Sequence, residues 1–353
     1  MALTPRTRGI LSALVAAALF GVAAPVAKRL AGNVPHITLS ALLYLGAGIG
    51  LSIVLRAKRG ITREAAIRGA DLPRLAIVTV LGGVAAPWLL VTGLARASGS
   101  AGALALGLEL PFTAILATTF FGDMLGRREW LGLAAIIAAG AILAGVSAAG
   151  GAADDAIGVA FIGAACALWA IDSNLTQRLS AKDPTSISRA KCLAAGVASL
   201  FIARAAGERL PDDRLLSAGA MLLGFLSYGY SLVLFTSALR DLGAARTGAI
   251  FATAPFLGAA ASILVLRSFP SPAAWISGAV MAGGLWILLG ARHSHDHLHD
   301  ELAHEHGHVH DEHHQHAHTD ADPAGEPHSH AHRHDPLTHA HPHLPDLHHR
   351  HRH

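Results

Sequence analysis

A chain of 353 residues that is 52% hydrophobic and only 14% charged, with a mean hydropathy of +0.44, is too apolar for a soluble domain, whose charged fraction is about 25%. Its formal charge of +3 does not point to a nucleic-acid partner, because every histidine but His36 lies beyond residue 292 and their protonation dominates the real charge. The apolar character comes from Ala, Leu, Ile, Val and 37 Gly, small residues that let helices approach closely in lipid, and the two cysteines, Cys166 and Cys192, fall inside apolar runs where they read as packing.

Windows of about 20 apolar residues predict membrane helices over 10–30, 36–55, 73–95, 99–121 and 130–149, then 157–179, 184–204, 214–239, 244–266 and 271–291. The expectation is an all-α integral membrane protein of about ten spans. The first run follows Arg6 and Arg8 like a signal peptide, but Pro25 and Lys28-Arg29 stand where a small-residue cleavage site would be, so it is expected to remain. Basic residues set the orientation. Arg6, Arg8, Arg56, Lys58, Arg59, Arg63, Arg68, Arg74, Arg127, Arg128, Arg178, Lys182, Arg240, Arg246 and Arg292 fall on one side. Fewer fall on the other: Lys28, Arg29, Arg96, Arg204, Arg209, Arg214 and Arg267. This predicts both termini in the cytoplasm of a cell (inner) membrane protein, with the loop carrying Asp154 and Asp155 outside.

The chain also repeats itself. A shift of 144 positions lays Arg96 on Arg240, Gly99 on Gly243, Pro111 on Pro255 and Phe112 on Phe256. Ala18-Leu19-Phe20 answers to Ala167-Leu168-Trp169, and Trp130 and Trp275 each open the last run of a half. With an odd number of spans per half, the second half enters the membrane inverted, the plan of carriers whose site lies at the midplane between repeats. The units expected are 10–149, 157–291 and a tail, 292–353.

Phe20-Gly21 and Pro25, the Glu109-Leu110-Pro111 helix ending Phe121-Gly122-Asp123-Met124-Leu125, and Trp130-Leu131-Gly132 resemble the EamA-type repeat of the drug/metabolite transporter superfamily. Gly224 to Tyr230, Ala238-Leu239-Arg240 and Ala254-Pro255-Phe256 resemble its second copy. The resemblance covers nearly all of 10–291 and implies a ten-helix carrier, often an exporter, with a cavity between inverted five-helix repeats. One departure is that the Glu common after the family's Pro-bearing helix is Asp123 in the first copy and Arg267 in the second.

An ionisable group inside a span costs at least about 2.5–3.5 kcal/mol on insertion scales and is a functional candidate for that reason. Glu109, two residues before Pro111, either meets substrate or a proton in a polar notch, or forms an ion pair with Arg246 or Lys191. Asp172 and Asn174 occupy the places of Ala23 and Pro25 in the other half, so the repeats differ where both could face one cavity. Lys191 has two readings, pathway or snorkelling to the interface. Arg246, Tyr228 and Pro255 complete the expected pathway, with Trp88 as a wall or packing residue and His36 at an interface.

After residue 292 the apolar pattern ends and prolines and acids intersperse a histidine-rich tail. His293, His295, His297, His299, His304, His306, His308, His310, His313, His314, His316, His318, His328, His330, His332, His334, His348, His349, His351 and His353 are the expected metal ligands. Imidazoles at alternate positions on a chain without a core close around a divalent ion, and with no thiols the choice is zinc, nickel or cobalt. A pH response toward anionic lipid is the other reading. The expected partners are therefore the lipid bilayer, a small-molecule substrate and divalent metal ions, with no cofactor required.

Three functions compete at this point. One is a secondary transporter of a metabolite or drug-like solute with a metal-binding tail, another a divalent-metal exporter fed by the tail, and the third a membrane-anchored metal buffer or sensor. No phosphate-binding loop and no nucleophile with a base at motif spacing appear, so no enzyme is expected.

Overall fold

The computed structural model describes residues 5–57, 69–121, 125–149, 153–177, 184–242, 244–267, 269–290, 294–299, 302–308, 328–334 and 337–342. In lipid the backbone must satisfy its own hydrogen bonds, and the apolar runs accordingly fold as helices. The first repeat contains α1 (Pro5–Ala31), α2 (His36–Ala57), α3 (Leu72–Val78), α4 (Ala86–Arg96), α5 (Gly99–Ala105), α6 (Glu109–Phe121) and α7 (Arg127–Ala149). The second contains α8 (Ala153–Gln177), α9 (Pro184–Ala205), α10 (Arg214–Gly224), α11 (Ser231–Leu242), α12 (Ala244–Phe251), α13 (Ala254–Leu266) and α14 (Pro272–Gly290).

Eight stretches among the described residues are long and apolar enough to cross a membrane, and the ninth and tenth expected runs are shorter apolar helices, Ala254–Leu266 and Pro272–Leu288. Prolines explain three of the places where the expected spans are interrupted, since each removes the amide that would bond the carbonyl four residues back. Pro255 frees the carbonyl of Phe251, where α12 ends. Pro111 frees that of Gly107, and there a 3₁₀ turn (Leu106–Leu108) joins α5 to α6. Pro87 frees that of Gly83, inside a π-helical turn (Thr79–Ala85) that joins α3 to α4. A second π turn, Phe225–Tyr230, joins α10 to α11 at the matching place of the other repeat.

The helices pack as two related halves. α2 lies on α9 and α7 on α14; α1 against α11 and α13 mirrors α8 against α4 and α6. Small residues make this possible. On α2 and α10, a Cβ at Gly46 would collide with the Met221 backbone and one at Gly224 with the Leu43 backbone, so the two helices touch main chain to main chain.

Long-range bonds join the helix ends that an up-and-down order of spans brings to one face. Lys28 Nζ donates to the Leu94 carbonyl (2.9 Å) and the Ala95 carbonyl (3.4 Å), and Arg29 to that of Val265 (3.3 Å). Asp155 accepts from the Ser98 amide (2.5 Å), and Glu208 caps α2 by accepting from the Thr38 amide (2.7 Å) and hydroxyl (2.9 Å). We call this the tied face. The opposite one, the open face, carries the starts of α1, α9 and α12.

In the tail, which is expected from its composition to lack a packed core, β1 (Ser294–His299) pairs antiparallel with β4 (Leu337–Pro342), and β2 (Leu302–His308) with β3 (His328–His334). Alternating His-x-His has the period of two that an extended strand requires, so nothing in it opposes pairing. His293, His310, His313, His314, His316, His318, His348, His349, His351 and His353 lie outside the described residues, as do Lys58, Arg59, Arg63, Arg68, Arg178, Lys182, Arg292 and the Gly122–Asp123–Met124 motif.

Candidate functional site

A cavity of about 480 Å³ occupies the middle of the bundle between the repeats. Glu109, Asp172, Lys191, Tyr228 and Pro255 line it. Of the other expected pathway residues, Pro111 is buried outside the lining, and the Arg246 side chain lies outside the described residues. Asn174 also departs from expectation: it does not line the cavity but donates to the carbonyls of Thr113 (3.2 Å) and Ala170 (2.8 Å), fastening α8 to α6. Trp88 is exposed on the outside of the bundle, and Cys166 and Cys192 are free and buried, as packing residues are.

Two helices supply an ion pair. Asp172 on α8 and Lys191 on α9 bond side chain to side chain, with side chains only 8% and 16% exposed. Lys191 therefore turns inward instead of snorkelling, and the partnership left open between it and Glu109 goes to Asp172. The room for the Asp172 carboxylate exists because Gly82 has no side chain, since a Cβ there would meet that carboxylate. Glu109 opens α6 just after the 3₁₀ turn, half-buried, and no ion pair or side-chain hydrogen bond is formed by its carboxylate among the described residues.

Aromatic rings form the rest of the wall. Tyr228, in the second π turn, stacks on Tyr44 (centroids 5.7 Å apart, planes 26° apart) and takes the edge of Phe20 (6.1 Å, 85°). Phe20 in turn lies 5.4 Å from Phe251. The Gly82 carbonyl, within the first π turn, accepts both Tyr44 Oη and Trp169 Nε1 at 2.9 Å, which pins two rings from two other helices. Sequence reasoning did not assign Phe20, Tyr44, Trp169 or Phe251 to the site. A signal existed for two of them: Phe20 and Trp169 are equivalent in the repeat, and both line the cavity.

The lining runs from mid-bundle toward the open face, reaching Ser188 near the start of α9 and Gly248 near the start of α12. It includes none of Lys28, Arg96 or Glu208 at the tied face. A chamber that two repeats share and that reaches toward one face is the arrangement of a carrier.

The profile of the EamA-like transporter family matches twice, over residues 7–145 and 156–290, one match per repeat. The chain belongs to the EamA-like transporter family. The transporter is 30% identical over 306 residues, 80% of its own length and 86% of the relative's, to a protein of Methanothermobacter thermautotrophicus (strain Delta H) described as an uncharacterized transporter. It also shares the fold of a protein of known crystal structure at 21% identity and a TM-score of 0.56, covering 80% of this chain and 98% of that one. The EamA-like transporter is thus a multi-pass integral membrane protein that moves a solute across the bilayer.

Proposed function

We propose that the protein is a secondary carrier that exports a small organic solute through the cavity between its repeats. The observation that carries this reading is the position of Glu109, a carboxylate without a protein partner among the described residues, at the wall of a mid-bundle chamber. No nucleotide-binding loop is present to drive a pump, so a gradient supplies the work. The bias of basic residues supports a cytoplasmic open face, which gives a cytoplasmic solute access to the chamber. The test compares metabolite profiles of cells lacking the gene with cells carrying the whole chain or a chain truncated after Arg292. A solute that accumulates only without the gene is the expected result. Unchanged profiles alongside altered metal content would move the assignment to metal export.

Orientation has its own test. A single cysteine placed at Ala153, between the repeats, reacts with an impermeant reagent added to intact cells. Reaction only after permeabilisation would invert the assignment.

The tail is assigned a divalent-metal role, as a cytoplasmic zinc, nickel or cobalt buffer beside the carrier. The register of β2 and β3 supports it: His304 pairs with His332, His306 with His330 and His308 with His328. Calorimetry with the whole protein and with the truncated chain is expected to show several zinc ions bound only by the former, with affinity falling steeply below about pH 6 as protons compete for imidazole. Equal binding by the two chains would remove the tail from metal chemistry.

A further inference from the structure

We infer that the transported solute is an organic monocation with a flat apolar body, held by Glu109 against the aromatic wall. The inference rests on the carrier reading and names its substrate class.

Charge decides the sign. Three ionisable carboxylate or amine side chains line the cavity among the described residues, namely Glu109, Asp172 and Lys191. Asp172 and Lys191 bond to each other, which leaves the lining with one net negative charge and Glu109 without an ion pair or side-chain hydrogen bond among the described residues. A carboxylate away from bulk water demands a counter-charge, and between transport events a proton can meet that demand. An ammonium or guanidinium group arriving with the solute displaces the proton and forms a charge-assisted hydrogen bond. An anionic solute finds no such partner. A zwitterion needs a cation for its own carboxylate, and Lys191 is already committed to Asp172, so it too is disfavoured.

Shape decides the body. Phe20, Tyr44, Tyr228 and Phe251 form a continuous aromatic surface facing the chamber, with the ring contacts described above. Ring faces attract cations and pack flat apolar groups, whereas a sugar-like solute would leave most of its hydroxyls facing carbon. The Gly82 carbonyl pins Tyr44 of this wall, together with Trp169, without a ligand, so that part of the site needs little ordering when one arrives.

The experiment uses the purified full-length protein and a series of four probes with the same phenyl body: 2-phenylethylammonium, neutral 2-phenylethanol, anionic 3-phenylpropionate and zwitterionic phenylalanine. Binding is read in detergent by tryptophan fluorescence, since Trp169 lines the site, and exchange by counterflow in proteoliposomes. The cation is expected to bind about tenfold or more tighter than each of the others, the size of one charge-assisted bond, and to be exchanged. Glu109→Gln brings the ratio of cation to neutral probe close to one, while Glu109→Asp keeps the cation first. If Glu109→Gln does not fold, the wild-type ranking and Glu109→Asp decide alone. Tightest binding of phenylalanine or phenylpropionate, or a ratio that survives in folded Glu109→Gln, overturns the monocation and leaves the carrier standing. Exchange of a cellular metabolite extract without binding of any probe overturns the substrate class as well. Failure to exchange any pool refutes the carrier reading, and the inference with it.

Discussion

Asp172→Asn is expected to unfold at a markedly lower temperature than the wild type and to accumulate poorly in the membrane. The substitution keeps the size of the side chain and removes its charge, so the Lys191 ammonium is left without its carboxylate in a bundle where its side chain is 16% exposed. Removing one member of a buried pair costs about 3–5 kcal/mol, against a total stability of about 5–15 kcal/mol for a typical fold. The double variant Asp172→Asn with Lys191→Met recovers most of the loss, because the stranded charge is gone and a flexible apolar chain of similar length fills the space. Thermal unfolding of the detergent-solubilised proteins measures all three. A single variant as stable as the double, with both near wild type, would mean that the pair does not hold α8 to α9.

Gly224→Ala and Gly219→Ala lie about one and a half turns apart on α10 and are expected to move stability in opposite directions. At Gly224 the new methyl collides with the carbonyl of Leu43, and since the obstacle is main chain it yields only if α2 and α10 separate. Overpacking typically costs about 1–3 kcal/mol and more where backbone must shift, so aggregation and loss of the monodisperse peak on size exclusion are expected. At Gly219 nothing lies within 4 Å of the added carbon. There the substitution gains the helix preference of alanine over glycine, about 0.5–1 kcal/mol. Gly46→Ala forces the same separation of α2 and α10 as Gly224→Ala, so the two together fall short of the sum of their separate effects. Equal behaviour of Gly219→Ala and Gly224→Ala would contradict the close approach of these helices.

The features legible in the sequence were those with a steep local cost. Twenty apolar residues without charge have few folded states other than a span, and the shift of Pro111 onto Pro255 exposed the duplication. Glu109 stood out because a carboxylate in such a run is expensive. The partnership of Asp172 with Lys191 was not legible, since it depends on how α8 leans on α9, and the separation of the two residues along the chain carries no information about that angle. The π turns were hidden for a related reason: Pro87 accounts for the first, but no proline accompanies Phe225–Tyr230 in the second. The aromatic wall escaped because each ring comes from a different helix, and only the packed bundle assembles Phe20, Tyr44, Tyr228 and Phe251.

The bonds at the tied face also have an electrical meaning. Lys28 on the carbonyls of α4, Asp155 on the Ser98 amide and Glu208 on the start of α2 tie helix ends that lie beyond the cavity lining. All three are charged side chains, and a charge that moves through the membrane field exchanges about 2.3 kcal/mol with it per 100 mV. If the solute is to leave by that face these bonds must release, so a voltage-dependent step is expected where they do.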